Sequence, residues 1–77
     1  MFRNLKAALE STGASFHNVV KLNYYIVDTV ESSDFFAYRE VRDQYVDTAN
    51  PPAATVIVIR RLARPEFLVE IEAVAFV

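Results

Sequence analysis

The sequence predicts an α+β domain with two helices on one face of a sheet, in the order helix, strand, helix, strand, strand. Three observations carry this. Two stretches repeat apolar residues at helical spacing. Three others are rich in β-branched and aromatic residues and bounded by turn formers. The second helical stretch lies between two strands, the arrangement of a right-handed crossover onto one sheet.

Each element has its own signals. "MFRNLKAALESTG" carries Phe2, Leu5, Ala8 and Leu9 at helical spacing, and Gly13 stands where a glycine ends a helix. No cap residue precedes this helix, which begins almost at Met1. "VVKLNYYIVD" alternates between an apolar face (Val20, Leu22, Tyr24, Ile26) and a mixed face (Val19, Lys21, Asn23, Tyr25, Val27). "ESSDFFAYREVRDQYVDTAN" reads as a helix started by Ser32 or Ser33 and by Asp34. Its stripe is Phe35, Tyr38, Val41 and Tyr45, and Asn50-Pro51-Pro52 stops it. "ATVIVIRRL" is a strand so apolar that both faces should be covered. "ARPE" is a turn, and "FLVEIEAVAFV" is expected to close an antiparallel hairpin with the strand before it.

Composition narrows the function classes. A chain of 77 residues is at most one domain, and 53% of them are hydrophobic, more than the roughly 45–50% usual for a globular domain. One sheet face is left bare and apolar, so association with copies of itself is expected. There is no cysteine, hence no disulfide, thiol nucleophile or cysteine zinc motif, and His17 is the single histidine, read as a solvated turn residue. The net charge of −2 and the short basic stretch "RRLAR" give poor support for nucleic-acid binding. The longest apolar run, "ATVIVI", is too short to span a bilayer, and no secretory signal pattern opens the chain. A cytoplasmic protein is expected.

The stretches "NLKAALESTGASFHNVVKLNYYIVD", "DFFAYREVRDQY", "NPPAATVIVIRRL" and "VEIEAVA", in that order, resemble the C-terminal portion of the reactive intermediate deaminase (RidA/YjgF) family. The resemblance covers nearly all of residues 1–77, read as a single truncated domain of this type in which the β-rich segment that usually precedes the first helix is absent. It implies a chorismate-mutase-like fold, a homotrimer, and a small-molecule site in the clefts between subunits. It implies hydrolysis of reactive enamines and imines to a carbonyl product and ammonia, with no cofactor and no metal. Some members were described as ribonucleases or translation inhibitors; the net charge argues against that chemistry here.

Site residues follow from the same resemblance. Glu70 matches the first glutamate of the family's "EIEA", which orients or activates the attacking water. A carboxylate in a semi-apolar cleft can both activate water and deliver a proton to a departing nitrogen. The competing reading is an ion pair with Arg61 across the hairpin. Active deaminases carry arginine in a "PAR[ST]" stretch, where it binds the substrate carboxylate. Here the stretch reads "PAAT", so Ala54 stands at the arginine position. Thr55 matches a small residue whose backbone lies beside ligand, and Arg39 stands where the family often has asparagine. A cation at Arg39 replaces part of the charge missing at position 54; an exposed helix charge is the plainer reading. Glu72 is read as a salt bridge or an intersubunit contact. Of Tyr24 and Tyr25, one belongs to the core and the other to a cleft or interface. The rival function is a non-catalytic trimer that binds a small molecule or a protein.

Overall fold

The structure is a computed structural model and describes residues 1–76. Val77, assigned from sequence to the closing strand, lies outside the described residues. The order is α1 (Phe2–Ser11), a 3-10 turn (Phe16–Asn18), β1 (Val19–Val27), α2 (Ser32–Asp43), β2 (Ala53–Ile59) and β3 (Val69–Ala75). The α+β class and the element order agree with the sequence reading. The strands form one sheet in the order β2-β1-β3.

Helix α1 ends through backbone geometry. Gly13 sits at φ 83°, a conformation that costs other L-residues about 1–2 kcal/mol. The Gly13 amide donates to the Glu10 carbonyl at 3.1 Å and the Ala14 amide to the Leu9 carbonyl at 3.0 Å. This is the Schellman arrangement, completed by the burial of both Leu9 and Ala14. A Cβ on Gly13 would meet nothing within 4 Å, so the conformation alone sets the cost of substitution. Gly13→Ala is expected to lose about 1 kcal/mol in urea denaturation; a loss above about 3 kcal/mol would point to a steric role instead.

The core lies between the helices and one sheet face. Phe2 and Leu9 of α1 join Phe16, Leu22, Tyr24 and Val46, with Tyr38 and Tyr45 packed against them. Ile71, Ala73 and Ala75 bring β3 into the same cluster. Leu22 and Tyr24 are the most deeply buried, at 1% and 2% exposure. A register shift between Val19 and Lys21 turns Val19 inward and leaves Val20 43% exposed, so the alternation expected from Val20 onward starts one step late.

The pairing of the last two strands differs from the expectation. β2 runs parallel to β1 (Leu22 opposite Ala54, Val27 opposite Ile59), and β3 runs antiparallel to the other edge of β1 (Asn23 opposite Glu72, Tyr25 opposite Glu70). No β2–β3 hairpin forms, although the Arg64–Phe67 turn is present. The crossover through α2 fixes β2 on one side of β1. Pairing of β3 to β2 would leave the second ladder of β1 open and draw Ile71 and Ala73 away from the helices. Placing β3 beside β1 satisfies both.

β2 is consequently an edge strand. It was expected to be covered on both faces, yet Val56, Ile57 and Val58 are 46%, 43% and 66% exposed. The helices pack over β1 and β3, and no β2 residue joins the core cluster. Helix α2 also stops earlier than expected, at Asp43 rather than at the prolines. The Asp47 carboxylate accepts from the amides of Ala49 and Asn50 and turns the chain there. Its N-cap is Glu31, with no side-chain cap hydrogen bond from Ser32 or Ser33. Val41, expected in the apolar stripe, is 46% exposed, while Tyr38 and Tyr45 face the core.

Candidate functional site

Paired residues on neighbouring strands share a face, and alternation then assigns every side chain. Leu22, Tyr24, Ala54, Val56 and Ile71 lie on the helix-covered side. Lys21, Asn23, Tyr25, Thr55, Ile57, Glu70 and Glu72 lie on the side no helix covers. The four residues singled out from sequence therefore divide into two pairs. Ala54 meets Arg39 on the helix side. Thr55 and Glu70 share the open side, on β2 and β3 with β1 between them.

On the helix side, a recess forms between α2 and β2. One part, about 200 Å³, is lined by Tyr24, Phe35, Arg39, Arg42, Ala54 and Val56, among others. An adjoining part, about 360 Å³, shares Tyr24, Arg42 and Ala54 and extends to Asp43, Thr48 and Pro52. The small side chain of Ala54 forms part of the wall of both. Sequence reasoning found Arg39 but missed Arg42. The available signal was spacing, since residues three apart on a helix are neighbours. Arg42 donates through Nε and Nη2 to Asp43 Oδ1, at 3.2 and 3.0 Å.

The recess is also bordered by two phenols. The Tyr24 and Tyr38 rings meet edge to face at 5.4 Å, and their buried hydroxyls have no partner other than each other. Burial pushes the Tyr38 phenol well above its ordinary pKa and Tyr24 adds to the rise, while the Arg42 cation pulls the other way.

The open face carries a polar network. Glu72 Oε1 accepts from Asn23 Nδ2 at 2.8 Å and from the Tyr25 hydroxyl at 3.0 Å. The hydrogen bond to Glu72, then burial, then the charges of Glu72 and Glu70 push the Tyr25 phenol above its ordinary pKa. Lys21 Nζ donates to the Thr55 hydroxyl. The two acids of β3 are thus unlike each other. Glu72 is held by two donors, whereas Glu70 is exposed and makes no ion pair or side-chain hydrogen bond among the described residues.

The expected Arg61–Glu70 contact does not form, because β2 and β3 are not neighbours. Arg61 instead donates to the carbonyls of Leu62 and Ala63, both at 3.2 Å. Tyr24 is the core tyrosine and Tyr25 faces the open side, in line with the sequence reading. His17 is largely exposed, with Nδ1 3.8 Å from Asp47 Oδ2. Among the described residues no three His, Cys, Asp or Glu side chains are grouped to hold a metal ion, and no helix is long and apolar enough to cross a membrane.

Comparison with known proteins agrees with this architecture. The profile of the endoribonuclease L-PSP family matches residues 1–77. A RutC family protein of Pyrococcus abyssi is 36% identical over 76 residues, 99% of this chain and 56% of the relative. A RutC family protein of Synechocystis is 38% identical over 72 residues, 94% of this chain and 52% of the relative. Among solved structures, a Rid family protein of Yersinia pestis superimposes with a TM-score of 0.86 at 35% identity, over 97% of this chain and 56% of that one. A YjgF family member from Mycobacterium tuberculosis gives 0.80 at 30% identity, over 99% and 61%. The chain spans about half the length of the curated relatives it matches. In sequence and in fold alike, it belongs to the endoribonuclease L-PSP family, the RidA/YjgF/RutC group of proteins.

Proposed function

We propose that residues 1–77 act as one RidA/YjgF-type unit, assemble as a homotrimer in the cytoplasm, and hydrolyse a small reactive imine or enamine at a cleft between subunits. The observation that carries this is the division of the candidate residues. Ala54 and Glu70 lie on opposite faces of the sheet, with β1 between their strands. A single pocket containing both needs Ala54 from one copy and Glu70 from another. The exposed apolar surface of β2 supplies a reason for copies to associate there.

In this reading the recess at Ala54, with Arg39 and the backbone of Ala54 and Thr55, holds the substrate. Glu70 of a neighbouring copy takes a proton from water as the oxygen attacks the imine carbon. It passes that proton to the nitrogen to give a carbinolamine, then relays the remaining hydroxyl proton to the amine as the C–N bond breaks and the C=O bond forms, so that imine and water give carbonyl and ammonia. Glu70 is exposed in the protomer, and the desolvation that makes a carboxylate a better base comes from the neighbouring chain. No cofactor enters the reaction.

The test uses imines released from serine or threonine by a dehydratase, with formation of the 2-keto acid followed over the buffer rate. The chain is expected to accelerate it, and Glu70→Gln to lower that acceleration by about 10²-fold or more. The alanine at position 54 favours a second reading, a trimer that binds a small molecule or a protein without chemistry. Absence of acceleration at any protein concentration selects that reading.

A further inference from the structure

We propose that the outer edge of β3 is a docking site for an extended segment of a partner protein, one that alternates basic and apolar residues and joins the sheet as a fourth strand. The proposal goes beyond the hydrolytic reading and makes no use of the recess at Ala54. Three observations carry it. First, the sheet order β2-β1-β3 leaves β3 with a single neighbour. The Val27 amide donates to the Leu68 carbonyl at 2.9 Å, and the two lie opposite each other when the β1–β3 register is extended by one residue. In an antiparallel ladder, residues bonded to the neighbour alternate with residues that point away from it. Leu68, Glu70 and Glu72 therefore bond to β1. The amides and carbonyls of Val69, Ile71 and Ala73 point outward, with no strand partner among the described residues. Neither proline nor lysine blunts this edge. Second, the helix side of the edge is apolar and indented. The start of α1 and β3 enclose a recess of about 340 Å³ lined by Met1, Leu5, Val69 and Ile71, among others. Another of about 390 Å³ shares Val69 and is walled by Val30, Phe35, Tyr38 and Leu68. Third, the open side of the same edge carries two acids. Glu70 has no ion pair or side-chain hydrogen bond among the described residues, and the engaged oxygen of Glu72 is Oε1.

Charge selects the occupant. In an added strand, side chains two apart leave the same face. Lysines or arginines at such positions stand opposite Glu70 and Glu72, where opposite charges stabilise a cross-strand pair. The apolar residues between them turn to the helix side and enter the recesses. A second copy of β3 fits worse. Antiparallel pairing of two such strands centred on Glu70, Ile71 or Glu72 sets a glutamate of one copy against a glutamate of the other, and like charges directly opposite are destabilising. The outer edge of β2 has no such filter, because Ala53–Ile59 contains no charged residue. The mode is strand addition: main-chain hydrogen bonds supply affinity, and the alternating side chains supply specificity. A partner segment of about five to seven residues matches the length of an ordinary strand.

Fluorescence anisotropy of labelled, end-capped heptapeptides with the 77-residue chain tests the edge. A peptide alternating lysine and valine is expected to bind saturably, and one alternating glutamate and valine about tenfold or more weakly. Amide hydrogen exchange read by NMR reports the geometry. On binding of the lysine peptide, exchange at Val69, Ile71 and Ala73 should slow, while Glu70 and Glu72, already bonded to β1, should change little. Glu70→Lys, at an exposed position, should weaken the lysine peptide and strengthen the glutamate peptide. Ala73→Pro removes one outward N–H and leaves the ladder to β1 whole, so it should weaken the lysine peptide about tenfold while circular dichroism stays that of wild type. Equal binding of the two peptides overturns the proposal, as does unchanged affinity for the lysine peptide in Glu70→Lys or in folded Ala73→Pro. Slow exchange at Val69, Ile71 and Ala73 in the chain alone, increasing with protein concentration, assigns the edge to a second copy and overturns it too.

Discussion

Phe2→Ala is expected to remove a large share of the folding stability, a loss of about 3–5 kcal/mol in urea denaturation. Phe2 is 3% exposed although it is the second residue of the chain. Its ring stacks on Tyr38 at 5.2 Å and on Tyr45 at 5.5 Å, and tilts against Phe16 at 6.3 Å. One side chain therefore ties α1 to α2 and to the 3-10 turn. Helix α1 has no side-chain cap and no acidic residue in its first turn, so this aromatic contact, rather than capping, holds its start. At the usual ~0.05–0.15 kcal/mol per residue, a chain of this length has only about 4–12 kcal/mol in total. Phe2→Leu, which keeps much of the volume, should lose less than half as much. A midpoint for Phe2→Ala within the error of wild type would mean that α1 frays and that the core closes without it.

The aromatic cluster also explains what sequence patterning could and could not reach. Both helices and all three strands were legible, because the helices have a strong period, Gly13 stops α1, and β-branched runs mark the strands. The order of strands in the sheet was not. A short turn such as "ARPE" between two apolar runs reads as a hairpin in any local view. Which edge β3 joins is decided by Ile71, Ala73 and Ala75 packing against Phe2, Leu22 and Tyr24, a long-range contact with no local signature. The error carried into the site, where Arg61 was placed beside Glu70 on the strength of the hairpin. The end of α2 was missed for a related reason: the Asp47 turn competes with helix well before Pro51 is reached. Ala54 and Glu70 were identified through resemblance, and only the strand register separates them onto opposite faces. Arg42 was hidden because a charged residue in a helix is usually solvated, and the recess it borders is shared with Ala54 on a different element.

The second large effect concerns the open sheet face. For the proposed trimer, Ile57→Asp is expected to yield the 8.8 kDa protomer in sedimentation at micromolar concentration. Ile57 pairs with Tyr25 on the face no helix covers and is 43% exposed in the protomer. Val74 lies on the same face at 46%, while Val56 and Val58 expose the opposite side of β2. An edge strand apolar on both sides is an aggregation hazard unless another chain covers it. A carboxylate at position 57 would be buried in such a contact, on a face that already carries Glu70 and Glu72 across β1, and the cost of several kcal/mol for a buried charge exceeds what a small interface supplies. The protomer itself should tolerate the change, because the site is solvent-exposed before assembly; circular dichroism should remain that of wild type. Val41→Asp, at a comparably exposed position on α2, should leave the assembly intact. If the unmodified chain sediments as a folded single copy at that concentration, the open face has no sibling to cover it, and a pocket shared between Ala54 of one chain and Glu70 of another cannot form.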